Sequence, residues 1–185
     1  MKQFLLIGLI LLASCETQQQ ESKQIKSNPT FQQAVTVQRP KADTITIDTS
    51  IIALLPSNEL FPFEDAQQAP LHLQELKLIE SILVEAVQTY NKEREKQFAQ
   101  YKAKYPEDAL NKQQFVINLA EYKRQYVAVV NKQGQKEVWI NCFCADGFDW
   151  KRAIVTVLDG GKCFFNLKIN LAQKKYYDFA VNGSA

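Results

Sequence analysis

Two stretches constrain the fold more than any others. Residues 138–144 read Val-Trp-Ile-Asn-Cys-Phe-Cys, and residues 163–169 read Cys-Phe-Phe-Asn-Leu-Lys-Ile. Each alternates. Val138, Ile140, Cys142 and Cys144 fall on one side of an extended chain, as do Cys163, Phe165, Leu167 and Ile169. A period of two marks a strand with one buried face, because successive side chains point to opposite sides of a sheet. The other sides carry Trp139, Phe143 and Phe164, interleaved with Asn141, Asn166 and Lys168. The rest of the chain must supply a cover for this sheet.

A helix supplies it. Pro70 suits a first helical position, where its missing N–H would be unpaired in any case. From there Leu73, Leu76, Ile79, Leu83, Ala86, Val87 and Tyr90 recur at helical spacing. Phe98, Tyr101 and Tyr105 extend the stripe until Pro106 stops it, so the spacing predicts a helix over residues 70–104. The mixed-sign run at residues 92–96 reads as a solvated helix face. The stripe is expected to lie over Val138, Ile140, Phe165, Leu167 and Ile169.

After Pro106 the chain is β-rich. Strands are expected at residues 126–130, 138–144, 154–158, 162–170 and 176–181. Turn chemistry separates them, with Gly134 in one connection and Asp159-Gly160-Gly161 in another. The fold class is therefore α+β, one long helix packed on a four- to five-stranded antiparallel meander. That order resembles the cystatin-like folds, and the Asp159-Gly160-Gly161 hairpin resembles small secreted domains of the PepSY kind. The resemblance is one of topology, covers about residues 71–185, and brings no catalytic motif with it.

The amino terminus carries the most specific motif. Lys2 precedes an apolar run over residues 4–12, too short to span a bilayer as a mature helix. Leu12-Ala13-Ser14-Cys15 follows and resembles the lipobox of bacterial lipoproteins, in which the cysteine thiol is acylated and the chain is cut just before it. The resemblance implies a signal peptide at residues 1–14 and a membrane anchor on Cys15. Glu16, rather than aspartate, follows Cys15; under the sorting rule of enteric bacteria this points to the outer membrane. Residues 15–43 are a polar tether that gives reach, and residues 44–69 a lead-in to an α+β domain at 70–185. In the lead-in, residues 44–48 read as an edge strand or linker, and Phe61-Pro62-Phe63 as a surface-packed aromatic pair. As a whole the chain resembles the small lipoproteins of the Gram-negative envelope.

Three cysteines remain beyond Cys15. Cys142 and Cys144 share a strand face with Cα atoms about 6.6 Å apart, too parallel to bridge each other. A bridge from either to Cys163 is favoured by an oxidising envelope but opposed by a meander in which residues 154–158 lie between their strands. Both outcomes stand. Cys142, Cys144, Cys163 and His72 match zinc in number but not in knuckle spacing, so no metal or other cofactor is expected.

Composition limits function further. A net charge of +2 without a basic stripe gives no footprint for nucleic acid. His72 is the only imidazole, and neither a phosphate loop nor a nucleophile elbow occurs. Asp146 and Asp149 are ordinary loop content, so no enzyme is expected, with a hydrolase built on distant carboxylates as a lesser alternative. The expected function is that of a membrane-anchored binding or interaction module, with a passive accessory role as the alternative. Trp139, Phe143 and Phe164 are the candidate contact face for a protein or small-ligand partner. The competing expectation is that residues 51–63 cover them.

Overall fold

The computed structural model describes residues 48–57, 62–64 and 66–183. The expected signal peptide, Cys15, the expected tether and residues 44–47 lie outside the described residues, as do Phe61 and Asp65. The order of elements is β1 (Ile52–Leu54), β2 (Gln67–Gln68), α1 (Leu73–Lys104), β3 (Lys123–Val130), β4 (Lys136–Phe143), β5 (Phe164–Asn170) and β6 (Lys175–Val181). The class is α+β. Among the described residues no helix is long and apolar enough to cross a membrane.

Helix α1 begins at Leu73 rather than Pro70. His72 is its N-cap, and the Glu75 carboxylate reaches back to accept from the His72 N–H at 2.8 Å. Leu76, Ile79, Leu83, Ala86 and Val87 are buried as the stripe predicted. Ile82 joins them, whereas Leu73 faces solvent at 60% exposure. Leu73 is the first residue of the helix, so no preceding helical turn packs beside it. The helix ends where expected, and Phe98 and Tyr101 pack on Phe115 at 5.1 and 6.0 Å.

The sheet has six strands, in the order β1-β3-β4-β5-β6 with β2 also beside β3. It is not a simple antiparallel meander: β1 runs parallel to β3, pairing Ile52 with Arg124 and Leu54 with Tyr126. β2 returns antiparallel along the same edge, Gln67 opposite Val130. The lead-in thus forms part of the sheet. β3–β4 and β5–β6 are hairpins, and β4 pairs directly with β5, from Glu137 opposite Asn170 to Phe143 opposite Phe164.

The expected strand at 154–158 does not form. With β4 and β5 in register against each other, no place is left between them. Residues 145–161 instead form a strap without strand structure across the sheet face opposite α1. The apolar run has a different use there: Val155 is buried and Ile154 packs at the margin of a core cluster, while Leu158 is 96% exposed. The Asp159-Gly160-Gly161 segment consequently closes no hairpin. It ends the strap, with Gly160 at φ 90° and a short 3-10 turn over Gly161–Cys163 leading into β5. A side chain at Gly160 would meet both that left-handed backbone and the Phe164 ring, only 2.6 Å from the position of a Cβ.

The α1-facing core contains Tyr122, Tyr126, Val138, Ile140, Cys142, Phe165, Leu167 and Ile169 against the helix stripe. One polar group interrupts it. The Tyr126 hydroxyl donates to Glu80, and the Arg124 guanidinium, 6% exposed, lies 3.6 Å from the same carboxylate. Burial, and then the Glu80 charge, push the Tyr126 hydroxyl well above its ordinary range, so it stays a donor.

Candidate functional site

The strap resolves the cysteine question. Cys144 and Cys163 form a disulfide with Cα atoms 5.1 Å apart. They follow the Phe143–Phe164 register pair, and the Cys144 N–H donates to the Cys163 carbonyl at 3.0 Å. β4 ends at Phe143, so Cys144 leaves the strand instead of continuing the Cys142 face. Cys142 remains a free thiol buried on the helix side, its pKa pushed up by desolvation. The bridge closes the base of the strap, linking positions that a strand at 154–158 would have separated.

Two sheet amides hold the middle. Gln125 Nε2 donates to the Trp150 and Ala153 carbonyls at 2.6 and 2.7 Å, and its Oε1 accepts from the Val155 N–H at 2.9 Å. Asn141 Nδ2 donates to Gln125 Oε1 and to the Val155 carbonyl. Near the far end Asn182 Nδ2 donates to the Val157 and Asp159 carbonyls. An irregular segment laid on a sheet has backbone groups that no ladder satisfies, and these side chains satisfy them.

The structure places the three candidate contact residues beneath this cover. Trp139 is 4% exposed, clustered with Ala53, Leu55, Phe63, Val127 and Val129 and flanked by Trp150 and Ile154. Phe143 is fully buried and meets Phe148 and Trp150 edge to face. Phe164 is half-buried against Phe148. The open aromatic face is therefore corrected: the lead-in covers Trp139, as its competing expectation held, and the strap covers Phe143 and Phe164.

On this side a cleft of about 530 Å³ lies at the end of the sheet away from the disulfide, and a smaller pocket of about 80 Å³ is lined by Trp139, Asn141, Val155 and Phe164 between strap and sheet. Phe63, Gln133, Glu137, Lys168 and Tyr177 are among its walls. Lys168 Nζ lies 5.4 Å from the Phe63 ring centroid and 5.9 Å from that of Tyr177, and 3.3 Å from the Asp178 carboxylate. Burial raises the Tyr177 hydroxyl pKa, and the hydrogen-bonded Glu137 raises it further, so the phenol is neutral and a donor. A bulge shapes this wall: Lys168 pairs with Tyr177 but Asn166 with Ala180, and Asp178 takes up the extra residue at φ 52°. Lys168 had been visible in the sequence as part of the mixed face, and Phe63 as part of the aromatic pair. Nothing local joined them.

The other candidates do not converge. His72 caps α1, Asp146 pairs with Lys123 at the base of the strap, and the Asp149 carbonyl accepts from the Arg152 and Ala153 N–H groups. The Lys123 hydrogen bond holds the Asp146 carboxyl below the ordinary carboxylate range. Among the described residues no three histidine, cysteine or carboxylate side chains gather where they could hold a metal ion. Comparison with protein-family models, with curated proteins and with solved structures finds no match.

Proposed function

We propose that this chain is a lipid-anchored binding module of the Gram-negative envelope, held at the outer membrane through Cys15. On this reading its helix-on-sheet domain is a variant of the cystatin-like arrangement whose second sheet face is closed by a strap and a lead-in. The anchor rests on Leu12-Ala13-Ser14-Cys15, and a disulfide closing the strap suits an oxidising compartment.

The observation that carries the binding role is the cleft at Lys168 and Tyr177. It offers two aromatic walls, a cation fixed between them and a carboxylate-bound phenol, a mix of apolar surface and placed polar groups typical of recognition sites. The partner is a protein or small ligand, and the role is binding rather than catalysis.

Photo-cross-linking in intact cells tests it. A benzophenone amino acid at Gln133, an exposed cleft residue, is expected to trap a discrete partner, and Tyr177→Ala to abolish the adduct while the fold is retained. The same probe at Gln88, on the exposed face of α1, supplies the control. Identical adducts from both positions would remove the cleft from the proposal. Labelled palmitate is expected in the wild-type chain and not in Cys15→Ser; equal labelling would remove the anchor.

A further inference from the structure

A second cavity lies at the other end of the domain, between the C-terminal half of α1, the connection to β3 and the edge of the sheet. Its volume is about 310 Å³, at the lower end of the roughly 300–1,000 Å³ usual for ligand sites. Tyr90, Arg94, Leu110, Phe115, Lys162 and Asn182 are among its walls, and no described lining residue is acidic. Its charge balance is one-sided: two cations face a cavity without a carboxylate.

Neighbouring acids are engaged elsewhere. Glu95 pairs with Lys112 at 3.2 Å, Glu93 with Lys96 at 3.1 Å, and Asp108 accepts from the Tyr101 hydroxyl and the Leu110 N–H. Arg94 uses Nη1 on Gln97, and its guanidinium lies 5.4 Å from the Tyr90 ring centroid, so cation and ring line the cavity side by side. The guanidinium has five N–H donors, of which Gln97 takes one, and it is held on an aromatic face in a cavity whose described lining has no carboxylate. The Lys162 ammonium donates to the Gln113 and Val116 carbonyls at 2.7 and 2.8 Å, which fixes its position and leaves one of its three donors.

The apolar walls are equally fixed. Tyr90 packs on Phe179 at 5.4 Å and Phe115 on Phe98 at 5.1 Å. Asn91 clamps the connection to the helix by exchanging two 2.8 Å hydrogen bonds with the Ile117 backbone. Two cations on a wall that is polar on one part and aromatic or aliphatic on the rest suit one negative charge on an apolar body. Phosphate would call for more free donors and would gain nothing from the rings.

We infer that this cavity binds a small monoanionic carboxylate with an aromatic or branched apolar body. Arg94 and Lys162 take the carboxylate, and Tyr90, Leu110 and Phe115 surround the rest. The site is separate from the cleft at Tyr177, and the inference does not depend on that one.

Calorimetric titration of the full chain in detergent micelles, corrected against empty micelles, tests it with phenylacetate, phenylacetamide and inorganic phosphate. Phenylacetate is expected to bind at least tenfold more tightly than either of the others. Arg94→Gln should weaken phenylacetate at least tenfold while leaving phenylacetamide unchanged, and the melting temperature of the variant verifies the fold. Arg94→Lys retains the charge and stem, serves if the glutamine variant is unstable, and should cause a smaller loss. Amide binding within twofold of carboxylate binding would overturn the inference. So would tighter binding of phosphate, an unaffected folded Arg94 variant, or no measurable phenylacetate binding at millimolar concentration.

Discussion

The two faces of the sheet are covered by different means. On one, α1 lays an aliphatic stripe over Val138, Ile140, Leu167 and Ile169. On the other, the strap and lead-in lie over Trp139, Phe143, Gln125 and Asn141. A helix satisfies its own backbone and can cover a surface that is apolar throughout. An irregular segment brings unpaired carbonyls and N–H groups, so the face beneath it must include side chains that bond them. Gln125 and Asn141 are buried for that reason, and the disulfide limits how far the strap can move when those bonds open.

The largest effect should follow from placing a charge on the helical side. Leu83 is fully buried, and Leu83→Asp should cost about 4 kcal/mol or more, adding an unpaired charge to a lost aliphatic contact. Denaturant melts read it, and an unchanged midpoint would mean that α1 does not seal this face.

Gln125→Ala should have a smaller and more local effect. It leaves the Trp150 and Ala153 carbonyls and the Val155 N–H without their partner, a loss of about 2–3 kcal/mol. Amide exchange should rise at Val155 well before it rises along α1, because the strap can lift while the helical core persists. Equal loss of protection on both faces would show that the two covers open as one unit.

The smallest effect lies where the faces share an anchor. Lys136 Nζ donates to the Pro70 carbonyl and pairs with Glu75 at 2.7 Å, tying the start of α1 to β4. Burial alone would raise the Glu75 pKa, but hydrogen bonds from Lys136 and the His72 N–H outweigh it and hold the carboxyl below its ordinary 4.5. A carboxyl lowered in the folded state stabilises above its unfolded pKa and loses that contribution as pH falls through the folded value. Lys136→Met should therefore cost less than about 1 kcal/mol at neutral pH and flatten the stability decline just below pH 4.5. A decline of unchanged slope would assign the acid sensitivity to other groups.

How much of this was legible follows from which signals are local. The 3.6-residue stripe and Pro106 defined α1 to its last residue, and alternation identified β4 and β5 with the correct sides facing the helix. The helix start at Leu73 rather than Pro70 depends on Glu75 reaching back to the His72 N–H, and apolar spacing does not report whether the sheet extends beneath the first turn. At the candidate site, Trp139 and Phe143 were correctly placed on a common side, but exposure is a property of what lies above a residue.

By itself the sequence determined the helix, the alternating strands and the α+β class, because each is written in neighbouring residues. Tertiary structure alone decided that residues 154–158 strap the sheet, that Cys144 meets Cys163, that β1 runs parallel to β3, and that Phe63, Lys168 and Tyr177 share a cleft. Periodicity states which side of a segment is apolar and leaves its neighbour unspecified. An apolar run of five residues can enter a ladder or lie across one. Direct pairing of β4 with β5 took the ladder position, and the buried amides of Gln125 and Asn141 were left to hold the run across the face.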